Sequence, residues 1–290
     1  EPKGMVPDGY QVSIVFQDRD QRVDGPSAGT AMALMLDSLF TGEKLDEGFA
    51  CTGGITPNGK VTSIGGVAAK IRGATRRECT IVGVPEGNAK GVNDILVLDG
   101  FQQLLDIQVF TMKDMSEARA LSREEKDKDV QSTLDDFKAI AEVVADQGDA
   151  ALKNTRVQER LEAVLEAMPN HISAKLLLDH IRGDAPERLS VGGSFHEIDS
   201  RSSAVFSRVQ RTMMRGKFSE AEEAESAAAD AREELEELDG KIHEKFEDYL
   251  EAAIDICKAV EENASSGGKD LVESLKSRWS KINSIRQKLR

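Results

Sequence analysis

Asp24-Gly25-Pro26-Ser27-Ala28-Gly29, followed by Ile64-Gly65-Gly66-Val67-Ala68-Ala69-Lys70, decides how this chain is read. A serine becomes a nucleophile only when a base takes its proton, and the usual base is histidine. The four histidines, His171, His180, His196 and His243, all lie beyond residue 170. If Ser27 is a nucleophile, its base must be another residue type, or a histidine from that distant, differently composed segment. A lysine held as a free amine can serve, and Lys70 is the candidate. Removal from water lowers an ammonium's pKa by up to roughly 3–5 units. On a helical wheel Lys70 lies beside Val67 and Ala74, at the edge of the apolar stripe that includes Ile71. Ser27 opens an apolar helical stretch, where unbonded N–H groups and the helix dipole favour a developing oxyanion. Two plain structural roles stand beside these: an N-cap for Asp24 or Ser27, and a Lys70 stem lying on apolar surface with its head in water.

Working outward, residues 10–121 alternate short strand-like runs with helical ones. Strands are expected over 11–16, 49–55, 61–64, 80–84 and 107–110. Helices are expected over 27–40, apolar nearly all round and therefore buried, over 65–77, and over 114–121. Thr56-Pro57-Asn58-Gly59 has turn chemistry: proline presets φ and glycine tolerates positive φ. After Leu121 almost everything reads as helix. A break is expected over 183–194, a long helix over 217–263, a second break at Ser265-Ser266-Gly267-Gly268, and a final helix bearing Trp279. The expected boundary lies near residue 122, with one domain over 1–121 and a helical one over 122–290.

Asp24 to Gly29, Thr52-Gly53-Gly54-Ile55, Gly59-Lys60-Val61 with Ile64-Gly65-Gly66 and Lys70, and Pro85-Glu86-Gly87-Asn88 together resemble the proteolytic domain of Lon proteases. The resemblance covers about residues 10–121. It implies an α/β (α+β) Lon-type proteolytic domain, here followed by an all-α domain. It also implies a Ser–Lys dyad with Ser27 as nucleophile and Lys70 as base, and a Thr52 hydroxyl that hydrogen-bonds the lysine. The implied substrates are polypeptides, and the implied assembly is a homo-oligomer, usually a hexameric ring. Two positions depart from the family: Gly54 and Ala69 stand where it usually carries Glu. The family domain also has more sequence before the strand leading to the serine, so its N-terminal part is expected to be missing here. These departures motivate a second reading, a catalytically silent scaffold whose helical half binds a protein partner.

Other signals carry less. Gly25-Pro26-Ser27-Ala28-Gly29 fits G-x-S-x-G, but a polar loop replaces the strand that a nucleophile elbow requires. Gly54 to Val61 approaches a P-loop, but Val61 replaces the magnesium-binding hydroxyl. ATP is expected only if an ATPase module lies upstream, and no other cofactor. Cys51 is expected to pack rather than react. Cys51, Cys79 and Cys257 have no metal spacing, and no metal is expected. A net charge of −14 with no basic stripe excludes nucleic acid and anionic membranes as natural partners. No run is long and apolar enough to span a bilayer, and a reducing cytoplasm is expected. Met168 to Ala174 and Arg215 to Ala221 resemble tetratricopeptide segments without a regular period. The segments 217–263 and 269–289 are expected to form a helical hairpin.

Overall fold

The computed structural model describes Ser13 and residues 25–216, 220–265 and 269–289. The strand expected over 11–16 falls, Ser13 aside, outside the described residues, as does Asp24. The chain forms two compact units, residues 1–186 and 187–290.

In the first unit a 3-10 turn, Pro26–Ala28, runs into α1 (Gly29–Thr41). Then come β1 (Phe49–Cys51), β2 (Gly54–Ile55), β3 (Val61–Thr62) and α2 (Val67–Thr75). Next are β4 (Ile81–Pro85), a 3-10 turn at Glu86–Asn88, and the short helices α3 (Ala89–Val92), α4 (Asp94–Asp99) and α5 (Gln103–Asp106). After β5 (Gln108–Met112) follow α6 (Met115–Ser122), α7 (Lys128–Gln147), α8 (Asp149–Leu152), α9 (Thr155–Ala167) and α10 (Ile172–Arg182).

A parallel sheet of order β1-β4-β5 organises this unit, with Cys51 opposite Gly83 and Gly83 opposite Phe110. All of β4 is buried, as its unbroken apolar run requires of a central parallel strand. The expected strand over 49–55 is divided. Gly53, at φ 155, ends β1 and redirects the chain into the β2–β3 hairpin. Thr56 to Gly59 is the hairpin turn, closed by Gly59 N–H to Thr56 O at 2.9 Å. Gly54 to Val61 is thus a hairpin and not a phosphate loop. One expectation fails: α1 is not buried all round. Met35 and Leu39 are 53% and 66% exposed, because among the described residues β1, β2 and α6 pack against the side of α1 that carries Thr30 and Leu34.

The change of character near residue 122 does not part the compact units. Phe137, Ile140 and Val144 of α7, Leu161 of α9 and Leu177 of α10 share one core with Val67 and Ile71 of α2, Val82 of β4 and Val109 of β5. Each such burial contributes about 1.5–3 kcal/mol, so these helices belong with the sheet. The open edge of β5 is covered by residues 170–173. Thr111 N–H donates to Asn170 O at 3.0 Å, Asn170 Nδ2 donates to Thr111 O at 2.9 Å, and Ser173 Oγ bridges Val109 N–H and Ile107 O. The tetratricopeptide-like stretch therefore serves as an edge cover.

His171 lies in that cover, fully buried between Phe110 and Phe137. Its Nδ1 accepts from Ala174 N–H at 3.2 Å, which assigns the proton to Nε2, 3.1 Å from Gln108 Oε1. Burial pushes the imidazole down to about 3 from 6.5. The unfolded chain binds the proton at higher pH than the folded one. His171 therefore adds stability above about pH 6.5 that is lost on acidification toward about pH 3, at up to about 1.4 kcal/mol per pH unit. Urea midpoints should accordingly fall less steeply with acid in His171→Gln than in wild type. Parallel slopes would contradict this.

The second unit contains α11 (Val191–Arg215), α12 (Ala221–Glu236), a 3-10 turn at Glu244–Phe246, α13 (Glu247–Asn263) and α14 (Lys269–Leu289). The long helix expected over 217–263 is broken, because Gly240 turns left-handed at φ 72 and His243 caps the 3-10 turn. The Ala-rich face of α12 packs on α13, and α13 also meets α14. The expected hairpin with 269–289 is thus made by α13 alone. Arg286 joins the helices: it donates to Tyr249 Oη at 2.7 Å, pairs with Asp199 and lies over the Phe206 ring. Among the described residues no helix is long and apolar enough to cross a membrane.

Candidate active site

Ser27 lies in the 3-10 turn that precedes α1, after Gly25 at φ 89. Neither the 3-10 turn nor α1 has a side-chain cap, so the N-cap role for Ser27 is ruled out. Its carbonyl is held twice, by Thr52 Oγ1–H at 3.2 Å and by Gly53 N–H at 2.9 Å. The Gly53 carbonyl in turn accepts from Thr30 N–H at 2.9 Å and Thr30 Oγ1–H at 3.1 Å. The turn bearing Ser27 and the turn after β1 are therefore cross-linked in both directions. Ser27 itself is half-buried, whereas Thr52 and Thr30 are buried.

Gly53 permits this approach. A Cβ there would stand 2.8 Å from Val61 Cγ1 and 2.9 Å from Thr30 Oγ1. Gly54 is comparably confined, since a Cβ would collide with Thr62 Oγ1 and stand 3.5 Å from Pro26 Cβ. With Thr62 in its present rotamer, no side chain fits at the first position where the family usually carries Glu.

Lys70 lies on α2, one residue before the fully buried Ile71. Its side chain is exposed and, among the described residues, makes no hydrogen bond or ion pair. The structure thus brings Thr52 to Ser27 through the backbone. The Thr52 hydroxyl proton goes to the Ser27 carbonyl and not to the lysine. A threonine oxygen that donates once keeps lone pairs with which to accept from an amine. Arg72, also on α2, pairs with Asp99 at 2.8 Å. Packing around Cys51 pushes its thiol up to about 12, so it stays protonated and unreactive at neutral pH.

Thr30 and Asn88 escaped the sequence reading as parts of the site. Thr30 left a signal, being the one hydroxyl in the otherwise apolar and glycine-rich start of α1. Asn88 bonds both the N–H and the carbonyl of Ile64. Nothing in local sequence links residues that far apart.

Residues 8–120 match the family model described as the Lon protease (S16) C-terminal proteolytic domain. A Lon protease of Clostridium beijerinckii is 38% identical over 112 residues, covering 36% of this chain and 14% of the relative. Lon protease 1 of Bacillus subtilis is 38% identical over 98 residues, covering 33% and 13%. Lon protease 1 of Herpetosiphon aurantiacus is 45% identical over 86 residues, covering 30% and 11%. The matches thus span about a seventh or less of these relatives, and the helical region beyond residue 120 lies outside the family match.

Proposed function

From a Lon-type proteolytic domain at residues 8–120, we propose that this chain is a serine endopeptidase that hydrolyses peptide bonds in polypeptides. Ser27 Oγ attacks the scissile carbonyl while Lys70 Nζ, as free amine, accepts its proton. Amides around the 3-10 turn hold the oxyanion. Lys70 then returns the proton to the leaving amine, and later takes one from the water that cleaves the acyl-enzyme. Thr52 fixes the Ser27 backbone and offers its lone pairs to the lysine. The reading is supported above all by an uncapping serine whose backbone is bonded on two sides by Thr52 and Gly53. Labelling with a serine-directed fluorophosphonate tests it: Ser27→Ala should take no label, and Lys70→Ala should label far more slowly than wild type. Equal labelling of all three would remove the reading.

The exposed Lys70 adds a condition. Burial is what favours the free amine of a lysine, so the base role calls for cover of Lys70 by bound substrate or by a second copy of the chain. The family resemblance favours the second copy, in a ring. The labelling rate per chain should therefore rise with protein concentration as assembly proceeds, by about tenfold or more if cover is required. A rate independent of concentration, in protein shown to associate, would exclude cover by a neighbour.

The same exposure favours a second reading, a silent scaffold whose helical unit binds a protein partner. Lys70-dependent labelling would end it. Any use of ATP would belong to a separate nucleotide-binding module.

A further inference from the structure

Resting on the Ser27–Lys70 reading, we infer that Asn88 is a positioning residue for Lys70, because its side-chain amide pins the loop from which the lysine's helix starts. Asn88 Oδ1 accepts from Ile64 N–H at 2.9 Å, and Asn88 Nδ2 donates to Ile64 O at 2.8 Å. This pair replaces the strand neighbour that Ile64 loses just beyond β3. The tether to the lysine is short. Gly66, two residues on, takes the left-handed conformation (φ 66, ψ 39) as N-cap of α2, with no side-chain cap of its own. Its carbonyl accepts the Lys70 N–H at 3.1 Å. Lys70 thus belongs to the first turn of α2, and a displacement of Ile64 is transmitted to it within one helical turn.

The Ile64 side chain packs on the core that holds Val67 and Ile71, and the Asn88 amide adds the polar hold on its backbone. Ser63 and Gly65 are exposed, and Ile64 is half-buried. Gly87 lets the Asn88 segment lie against the loop, since a Cβ there would collide with Ser63 Oγ. Both polar ends of the Asn88 amide bond the Ile64 backbone, which ties Asn88 to the start of the Lys70 helix.

A double-mutant cycle on the full chain tests this, with the rate of Ser27 labelling by a fluorophosphonate as readout and Tm and circular dichroism as folding controls. Asn88→Ala should slow labelling about tenfold or more in folded protein, since a displacement near 1 Å can lower a rate by about a hundredfold. In a Lys70→Ala background the same change should alter the rate by less than about twofold. Equal slowing in both backgrounds overturns the inference, because Asn88 would then act on the fold or on Ser27. An unchanged rate in the folded single variant also overturns it. Where Asn88→Ala does not fold, Asn88→Asp carries the test. Its carboxylate keeps the acceptor for Ile64 N–H but loses the donor to Ile64 O. Protonation restores that donor, so its rate relative to wild type should rise on acidification, and a flat ratio is the negative result. Failure of the underlying dyad reads differently: Lys70→Ala alone would then label as wild type does.

Discussion

Ser27→Ala should abolish peptide-bond cleavage, and Lys70→Ala should lower it by about 10²–10⁴-fold, the range expected on removing a general base. Lys70→Arg separates base from charge. Arginine keeps length and positive charge but does not give up its proton in a protein. It should therefore be as inactive as Lys70→Ala. If Lys70 served only to attract an oxyanion or an acidic substrate, Lys70→Arg would retain most activity. Circular dichroism should show all three variants folded: Ser27 is half-buried, its hydroxyl caps no helix, and Lys70 is exposed without a partner among the described residues. A fluorogenic peptide assay on assembled protein provides the measurement. Arginine-supported turnover near the wild-type level would refute a proton-accepting Lys70.

The largest stability effect should come from Gly53→Ala. Three side chains surround the missing Cβ: Val61 Cγ1 at 2.8 Å, Thr30 Oγ1 at 2.9 Å and Pro85 Cγ at 3.3 Å. Val61 and Pro85 belong to packed strands, and Thr30 is bonded to Gly53 itself, so none can retreat without a loss. The φ of 155 adds backbone strain for an L side chain. Together the two effects should cost about 2–4 kcal/mol, read from urea unfolding of the full chain. Function should suffer even where the fold survives. Opening this contact pulls the Gly53 N–H and the Thr52 hydroxyl away from the Ser27 carbonyl and loosens the turn that aims the nucleophile. A stability change below about 0.5 kcal/mol, the range of a neutral surface substitution, would show that the turn yields easily and that the two-way cross-link is weaker than its distances imply.

Much of the first unit was legible along the chain. The apolar run Ile81 to Val84 is β4, the turn Thr56 to Gly59 closes the hairpin, and Asp114 caps α6 through Ser116 and Glu117 N–H. Each of these depends on neighbours within a few residues. The failures share one cause. The apolar circumference of α1 says that the helix can be buried, not what covers it, and Met35 and Leu39 remain in water. The Ala/Glu/Lys pattern over 217–263 says helix, but one left-handed glycine with a capped turn divides it.

Sequence alone determined the candidate chemistry of this protein. With no histidine before residue 171 a lysine became a candidate base for Ser27, and the resemblance carried by separated glycine, threonine and asparagine blocks is what implied the Ser–Lys dyad. Only the tertiary structure decided how those blocks are held. It joined the Ser27 turn to the Thr52–Gly53 turn, set Asn88 on Ile64, brought α7, α9 and α10 into the core of the sheet, and left Lys70 facing solvent. The physical reason is range. Propensity, capping and turn chemistry act over about one helical turn, whereas backbone hydrogen bonds and burial between distant segments depend on which surfaces meet once the chain has closed.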